Sequence, residues 1–430
     1  MPKILLGKKN GVSSVSLREI RRFIIFYEFF IDYLNKRKGT ISEEKIIENK
    51  DNLIKYSSLS EKDIKLFSIN LSIYLGYYLR LTDITEENQD GLRKILFKKL
   101  NDIFEKKSGF NFLLIPEKEE NFIADNVELE TGIAKNRALL ENLFSLFVAI
   151  NTKIPIFIIG KLGCSKSLSV QLINNAMKGN SSTNPFFRKY PKMYVSTFQG
   201  ALNSTSEGVK EVFVKAREIL KVKDSKENKE KISTFYFDEM GLAEHSPHNP
   251  LKVIHSELEY DLNEEDKKIS FIGVSNWSLD SAKMNRGMSI NIPDPNESDI
   301  QKTSITIAQS YLGEELSENI RKFFENLGLS YLKYKQEFQK NSTFKKYENF
   351  HGNRDFYHLI KYPAAKIKEA QKNKQNIDNK FLAKLAIISL ERNFGGLIMD
   401  NNDKYTNGIN LIKEKLAEND IEVKKNFKRI

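Results

Sequence analysis

The amino-acid sequence predicts an α/β fold in which a parallel β-sheet with flanking helices occupies the middle of the chain. Within 131–296, short apolar runs alternate with helical stretches, the pattern of right-handed βαβ units and a sheet covered on both faces. In 1–105 and again in 297–430, apolar residues recur at helical spacing. We therefore predict an all-α N-terminal region, a connector at 106–130, an α/β core, and further α-helices over 297–430.

The composition is that of a globular protein long enough for two or three domains, with 430 residues, 40% hydrophobic and 29% charged. The most apolar N-terminal stretch, 23–34, is interrupted by Glu28 and Asp32, and no apolar run approaches the roughly 20 residues that cross a bilayer. The first residues have too short an apolar run for a signal peptide. These observations predict no membrane span and a cytoplasmic location.

Charge and cysteine content narrow the classes of partner and site. The formal net charge is +11, but lysines are spread along the whole chain, and the arginine–aromatic interleaving of nucleic-acid surfaces is absent. We therefore do not expect nucleic acid as a partner. Cys164 is the only cysteine of the chain, which excludes an internal disulfide and any zinc site built from cysteines.

The helices of the N-terminal region are predicted from apolar spacing and cap signals. Ser16 is the expected N-cap of a first helix, in SVSLREIRRFIIFYEFFIDYLNKR. Two further helices are predicted at 60–81 and 86–104. In the core, a helix over 130–151 leads into the apolar strand IPIFIIG. Three more strands are predicted, at KMYVSTF (192–198), ISTFYF (232–237) and KISFIGVSN (268–276).

Loops separate these elements. The segment 221–231 is predicted as a charged surface loop, and the helices after 296 are interrupted by a loop near 348–355.

A candidate phosphate-binding loop, GKLGCSKS, directly follows the strand IPIFIIG and precedes a predicted helix. Such a loop curls backbone N–H groups around a phosphate and ends at a helix N-terminus, which favours an anion. Lys166 is expected to reach the β- and γ-phosphates, and Ser167 to ligate Mg²⁺. Ser165 stands where the motif has glycine, and costs on the order of 1 kcal/mol if that position needs a positive φ. The candidate binding residues are Gly160, Lys161, Leu162, Gly163, Cys164, Ser165, Lys166, Ser167 and Leu168.

Polar residues at the ends of later strands complete the candidate site. The strand FYFDEMG ends in Asp238, a candidate magnesium ligand, and Glu239, a candidate base that activates water. The next strand ends at Asn276, whose amide is suited to orienting the attacking water. Arg286 is a candidate for neutralising transition-state charge. Taken singly, the two carboxylates are also typical of a helix start, and Arg286 of a surface ion pair.

The order of these motifs resembles that of AAA+ ATPases, and the chain looks most similar to the AAA+ modules of the mysterin family of giant RING-type ubiquitin ligases. The resemblance covers roughly 130–396 and rests on GKLGCSKSLS…NAMKG, DEMGLAEHSPHNPLKVIH, GVSNWSLDSAKMNRG, FHGNRDFYHLIK and ERNFGG. It implies a P-loop AAA+ core with a helical lid, ATP and Mg²⁺ as cofactors, and Ser165 as a family trait. The first predicted helix also resembles the lid of a preceding module.

The resemblance also implies roles that the residues alone do not. Arg286 is expected to act in trans, as an arginine finger on the nucleotide of a neighbouring AAA+ module. Arg354, in GNRD, is a candidate second sensor from the lid, and the alternative is an ion pair with Asp355 at a helix start. The zinc ligands of the ligase chemistry are missing from this chain, because it has a single cysteine.

We therefore expect a magnesium-dependent ATPase module that acts as a motor or conformational switch in a larger, ubiquitin-ligase-like assembly. Expected partners are neighbouring AAA+ modules, of the same chain or of an oligomer, and components of the ubiquitin pathway. One alternative is a module that binds ATP as a sensor or scaffold without hydrolysing it. A second alternative is a nucleic-acid-dependent ATPase, which only the net charge of +11 supports.

Overall fold

The structure is a computed structural model, and it describes residues 17–38, 45–49, 52–81, 91–222, 231–258, 268–340, 350–395, 398–399 and 406–407. The chain forms two compact units. The first contains the described residues of Met1–Glu128, Leu140–Lys161 and Ser165–Pro293. The second contains those of Leu129–Leu139, Leu162–Cys164 and Asp294–Ile430.

The N-terminal part of the first unit is helical, as predicted, with one short antiparallel hairpin. Its elements are α1 (Leu17–Lys38), β1 (Lys45–Asn49), β2 (Asn52–Lys55), α2 (Glu61–Ile73), α3 (Gly91–Ser108) and α4 (Leu114–Asn126). A π-helical turn, Tyr74–Tyr78, extends α2. Ser60 and Asp63 form a capping box that satisfies backbone N–H groups at the start of α2. The expected cap Ser16 lies outside the described residues.

A buried ion pair holds the helices of this region together. Arg37 of α1 and Glu119 of α4 have fully buried side chains, with Arg37 Nε 3.1 Å from Glu119 Oε2. The hydroxyls of Tyr33 and Tyr56 also donate to the Glu119 carboxylate. Burying two charges is favourable only when the remaining polar atoms are also satisfied, and these tyrosines supply that satisfaction for the carboxylate. The segment 106–130, interpreted above as a connector, therefore contains a helix, α4, that belongs to the packed core.

The rest of the first unit is a parallel sheet with helices. Its strands are β3 (Ile156–Ile159), β4 (Lys192–Gln199), β5 (Lys231–Asp238), β6 (Ser270–Ser275) and β7 (Met288–Asn291). The strand order is β4-β5-β6-β3-β7, and every neighbouring pair is parallel. The helices are α5 (Arg137–Thr152), α6 (Lys166–Ala176), α7 (Ser206–Lys221), α8 (Met240–Glu244), α9 (Lys252–Leu258) and α10 (Ser281–Met284). This architecture confirms the predicted α/β core.

Burial in the central strands follows from the parallel arrangement. Every residue of β3 and β6 is buried, and β5 is buried except at its ends. Strands that are covered on both faces need apolar side chains in continuous runs, which is how their sequences read. One face of β5 packs on α7, where the rings of Phe213 and Phe235 meet edge to face with centroids 4.6 Å apart.

The second unit has a helical core. Its helices are α11 (Glu297–Leu312), α12 (Glu318–Lys340), α13 (Asn353–Lys372) and α14 (Asn379–Phe394), and two short strands follow, β8 (Ile398–Met399) and β9 (Thr406–Asn407). Asn296 caps α11 through a hydrogen bond from the Asp299 backbone N–H to Asn296 Oδ1, at 2.9 Å. Aromatic and aliphatic side chains of all four helices form one buried cluster. The prediction of helices after 296 is confirmed.

The predicted strands are confirmed within two residues at each end, and one strand of the parallel sheet, β7, was not predicted, nor were the short hairpin strands β1, β2, β8 and β9. β7 has four residues, MSIN, and follows a glycine, so its apolar pattern is too short to recognise in the sequence. Most of the predicted charged loop, 223–230, lies outside the described residues. Among the described residues, no helix is both long enough and apolar enough to cross a membrane.

Candidate functional site

The loop between β3 and α6 adopts a backbone conformation that suits glycine at two positions. Gly163 has φ +81° and Ser165 has φ +60° and ψ +17°, which is left-handed. For a residue with a side chain this conformation costs on the order of 1 kcal/mol. Position 165 therefore does require positive φ, and Ser165 carries the strain that the motif's glycine avoids. The loop begins at Gly160, whose N–H donates to the carbonyl of Ser275 over 3.2 Å.

Lys166 is the first residue of α6 and is 7% exposed. Its Nζ donates to the loop carbonyls of Gly160, at 2.5 Å, and Lys161, at 2.9 Å. It also donates to Asn276 Oδ1, at 3.0 Å. These acceptors hold the ammonium group beside the loop. Lys166 also begins an 11-residue helix, and the N-terminus of a helix favours an anion.

The two predicted carboxylates lie at the carboxyl end of β5. Asp238 is the last residue of the strand, and its Oδ2 lies 3.5 Å from Ser167 Oγ at the start of α6. Its Oδ1 accepts a hydrogen bond from the backbone N–H of Glu239, at 3.0 Å. Glu239 has φ +50°, a second strained residue with a side chain at this edge. Strain of this kind is tolerated only where surrounding contacts hold the backbone in place.

Gly200 supplies one of those contacts, and sequence reasoning missed it. Its N–H donates to the Asp238 carbonyl over 2.8 Å. A Cβ at this position would lie 2.3 Å from the Glu239 carbonyl oxygen, so that only glycine fits. The signal was present, because Gly200 directly follows β4, but the pairing of β4 with β5 had to be known before it could be interpreted.

Asn276 follows β6 and connects the two halves of the site. Its Oδ1 accepts from Lys166 Nζ, and its Nδ2 donates to Glu239 Oε2 over 3.0 Å. The carboxyl ends of parallel strands lie at one edge of the sheet, and this edge is where open α/β sheets bind ligands. The structure therefore brings together five predicted site residues from three separate segments of the chain: Lys166, Ser167, Asp238, Glu239 and Asn276.

Arg286 lies at the amino ends of the parallel strands, opposite the carboxyl ends at which the other candidate residues meet. It precedes β7, whose first residue, Met288, donates its backbone N–H to the Pro155 carbonyl at the amino end of β3. A four-residue strand rises about 13 Å, so Arg286 is distant from the carboxyl edge of its own sheet. Arg22 of α1 holds this segment by donating from Nη2 to the Asn285 carbonyl over 2.7 Å. Burial, and after it the charge of Arg18, lowers the pKa of the Arg286 guanidinium.

The remaining predicted residues belong to the second unit or to the surface of the loop. Arg354 is exposed at the start of α13, and among the described residues it forms no ion pair with Asp355. The Asp355 carboxylate instead accepts from the Gly352 N–H, at 2.8 Å. Leu162 is exposed, Cys164 is buried, and Lys161 and Leu168 are half-buried.

Within the second unit, residues 162–164 lie against the start of α13. Tyr357 Oη donates to the Gly163 carbonyl over 2.8 Å. A Cβ on Gly163 would lie 2.7 Å from the Cβ of Asn353, so this close approach also requires glycine.

The parallel sheet, its strand–loop–helix and the polar residues along its carboxyl edge define a P-loop module of the AAA class. Residues 132–299 match the family model described as RNF213 AAA domain. The chain therefore contains an AAA module of the RNF213 (mysterin) type.

The relatives of this chain include proteins named RNF213. The chain is 31% identical over 400 residues to E3 ubiquitin-protein ligase RNF213 of Homo sapiens, covering 90% of this chain and 7% of that protein. It is 30% identical over 375 residues to the Mus musculus protein of the same name, covering 85% of this chain and 7% of the relative. It is 36% identical over 247 residues to E3 ubiquitin-protein ligase rnf213-beta of Danio rerio, covering 56% of this chain and 5% of that protein. The chain thus corresponds to a small part of each relative.

Proposed function

We propose that this module binds ATP with Mg²⁺ and hydrolyses it. The observation that carries the proposal is the convergence of Lys166, Asp238, Glu239 and Asn276 at the carboxyl edge of the sheet, where the Asn276 amide joins Lys166 to Glu239. Phosphoryl transfer needs a cation that binds phosphate, carboxylates that bind a metal and activate water, and a polar group that orients the water. Lys166, the pair Asp238 and Glu239, and Asn276 are residues of these types. We assign 131–296 as the nucleotide-binding core and 297–430 as the α-helical lid and C-terminal helices.

The loop and Lys166 bind the phosphates in this proposal. The loop residues after Gly160 present backbone N–H groups to the phosphates, and Lys166 is held beside the loop by the carbonyls of Gly160 and Lys161. Its present acceptors include two neutral carbonyls, and an anionic phosphate oxygen is a stronger partner than either. Ser165 is compatible with this role because its backbone already has the left-handed conformation.

The donors present fit a magnesium ion. Ser167 Oγ and Asp238 Oδ2 are hard oxygen donors 3.5 Å apart, close to the ~3 Å between neighbouring oxygen ligands of an octahedral Mg²⁺. Among the described residues no group of three or more His, Cys, Asp or Glu side chains is arranged to hold a metal ion. A cation here would therefore be held by these two side chains, phosphate oxygens and water. When bound, Mg²⁺ neutralises charge on the transferring phosphoryl group.

Glu239 is the base and Asn276 the residue that orients water. The Glu239 carboxylate is half-buried and accepts from Asn276 Nδ2, which keeps it within reach of the site. A general base must lie within hydrogen-bond distance of the proton it removes, directly or through one water. Because the Asn276 amide contacts both Lys166 and Glu239, it also fixes the position of the base relative to the phosphate-binding lysine.

Arg286 acts on a neighbouring module. Its place before β7, at the amino end of the parallel strands, separates it from the site of its own chain. An arginine supplied in trans stabilises transition-state charge in phosphoryl transfer. The partners of this module are accordingly other AAA modules, and Arg354 of α13 is assigned as a second sensor.

The larger role follows from the printed name of the relatives, E3 ubiquitin-protein ligase. We assign the module as a motor or conformational switch in an assembly of that kind, with components of the ubiquitin pathway as further partners. The chain spans 7% of the first two of these relatives, so the ligase activity itself belongs to the whole assembly in this proposal.

The test is to measure nucleotide binding and turnover side by side. Lys166→Ala is expected to weaken ATP binding on the order of 100-fold, because the charge-assisted contact to phosphate is lost. Glu239→Gln is expected to bind ATP normally but to hydrolyse it at least ~100-fold more slowly. The matched controls are Lys215→Ala and Glu218→Gln, both exposed on α7, and both should behave like the parent protein.

Three outcomes separate the alternatives. ATP binding by Lys166→Ala at parental affinity contradicts the nucleotide site. Parental turnover by Glu239→Gln contradicts the assignment of the base. Tight ATP binding without turnover, even at high protein concentration, favours a non-catalytic sensor.

A further inference from the structure

Tyr236 is a residue of β5 that no part of the proposed function uses. It stands two positions before Asp238 and is 9% exposed. Its hydroxyl is buried and has no hydrogen-bond partner of good geometry among the described residues. Buried hydroxyl groups normally have a partner, since leaving one without a hydrogen bond costs free energy. A phenylalanine would fill the same space without that cost.

The direction of the side chain follows from the alternation of the strand. Phe235 packs against Phe213 of α7 and, with Phe237, belongs to the cluster on that face. Residues Tyr236 and Asp238 therefore face the other side of the sheet. On that side Ser167 Oγ lies 3.5 Å from Asp238 Oδ2, and the Tyr236 hydroxyl lies beside both side chains.

The hydroxyl is thus a buried polar atom beside the two side chains assigned to Mg²⁺, and among the described residues it lacks a hydrogen bond of good geometry. Magnesium gives up its water reluctantly and usually keeps several waters when bound to protein and phosphate. A tyrosine hydroxyl can donate one hydrogen bond and accept others. It can therefore donate to the Asp238 carboxylate and accept from the hydration shell of the ion.

We propose that Tyr236 is a positioning residue of the magnesium site, which orients Asp238 and contacts the hydrated cation from outside its ligand shell. This inference rests on the proposed function of the module. Side chains that hydrogen-bond to metal ligands hold those ligands in the correct orientation. Removing such a side chain typically weakens metal binding 10- to 100-fold. Among the described residues no hydrogen bond of good geometry joins the hydroxyl to the loop or to Lys166, so nucleotide binding without metal should not depend on it.

The experiment compares Tyr236→Phe with Thr234→Val. Thr234 lies two residues earlier on the same face of β5, and its buried hydroxyl also has no partner among the described residues, but it is farther from Asp238. Binding of a fluorescent ATP analogue is measured during a Mg²⁺ titration and, separately, in EDTA. Tyr236→Phe should raise the Mg²⁺ concentration for half-maximal effect ~10- to 100-fold, with affinity in EDTA unchanged. Thr234→Val should match the parent protein in both conditions.

Two results would overturn the inference. One is a Mg²⁺ requirement of Tyr236→Phe within twofold of the parent. The other is an equal loss of affinity with and without Mg²⁺, which would mean that the hydroxyl acts through the fold. Thermal unfolding of both variants checks folding. A double-mutant cycle with Asp238→Asn adds an independent readout. Once the carboxylate is removed, Tyr236→Phe should not change the Mg²⁺ requirement any further.

The proposed function fails in a different way. If the parent protein shows no Mg²⁺ dependence, or Lys166→Ala binds the analogue normally, the nucleotide or magnesium assignment is wrong whatever Tyr236→Phe does.

Discussion

Asn276 Nδ2 donates to Glu239 Oε2 over 3.0 Å, joining two side chains that lie 37 positions apart in the sequence. The same amide accepts from Lys166 Nζ through its oxygen. A neutral side chain with one donor end and one acceptor end is suited to this place, because it meets an anion on one side and a cation on the other. The bridge therefore sets the distance between the residues assigned to base and phosphate binding.

Asn276→Ala tests this bridge. Removing the amide frees Glu239 and leaves Lys166 with the loop carbonyls, so turnover should fall ~100-fold while ATP affinity changes by a few-fold at most. Steady-state turnover and equilibrium binding measure the two effects. Asn175→Ala, at an exposed position of α6, is the control. Parental turnover by Asn276→Ala would show that the amide has no part in hydrolysis.

Gly200→Ala tests the support beneath the carboxylates. The added Cβ would meet the Glu239 carbonyl oxygen at 2.3 Å, and because both groups are backbone, neither can move away cheaply. We expect a loss of ~1–3 kcal/mol in the free energy of unfolding and reduced turnover. Gly76→Ala is the matched control, since nothing lies within 4 Å of its added Cβ. Equal stability of the two variants would contradict the close approach.

Ser165→Gly and Ser165→Val test the strain in the loop. Glycine adopts φ +60° freely, so Ser165→Gly should keep nucleotide affinity and should be as stable as the parent or up to ~1 kcal/mol more stable. A β-branched residue is strongly disfavoured there, and Ser165→Val should lose both stability and affinity. At Ser281, the first residue of α10, the same glycine substitution should be mildly destabilising. A loss of stability in Ser165→Gly would contradict the left-handed assignment.

The stability of the second unit should depend on pH because of a buried histidine, His351. It is 4% exposed, and its Nδ1 lies 2.7 Å from Tyr334 Oη. Burial lowers its pKa to about 4, with Lys335 lowering it further and Asp355 opposing the change. The unfolded chain, with a histidine pKa near ~6.5, therefore binds a proton that the folded unit does not. The contribution of neutral, buried His351 to the free energy of unfolding is therefore fully present above about pH 6.5. It falls by up to about 3 kcal/mol as the pH decreases towards 4.

Hydrogen exchange of amides in α12 to α14 between pH 4 and 7.5 measures this effect. His351→Gln should flatten the pH dependence, whereas His358→Gln, at an exposed position of α13, should leave it unchanged. The same slope in His351→Gln and the parent protein would assign the pH dependence to other groups.

Much of the fold was predictable because its signals are local. The strand before Gly160, the loop and the helix that begins at Lys166 are adjacent in the sequence, and their apolar spacing identifies them. The helices after 296 have strong periodicity and are confirmed. In contrast, β7 is too short to recognise, and the segment of α4 was interpreted as a connector because it lies in a stretch with Gly109 and Pro116.

The candidate site was predictable as a set of residues but not as an arrangement. The types and order of Lys166, Asp238, Glu239 and Asn276 pointed to one chemistry. The importance of Gly200 and Tyr236 could not be read from the sequence alone. Gly200 matters through the pairing of β4 with β5, and Tyr236 through the face of β5 on which it lies.

By itself, therefore, the sequence predicted four of the five strands of the parallel sheet, most of the helices, and a set of candidate site residues. Only the tertiary structure decided that the strands take the order β4-β5-β6-β3-β7 and that Asn276 touches both Lys166 and Glu239. It also decided that Arg286 lies at the other edge of the sheet. The physical reason is that strand pairing depends on hydrogen bonds between distant segments, and the same local pattern is compatible with several strand orders.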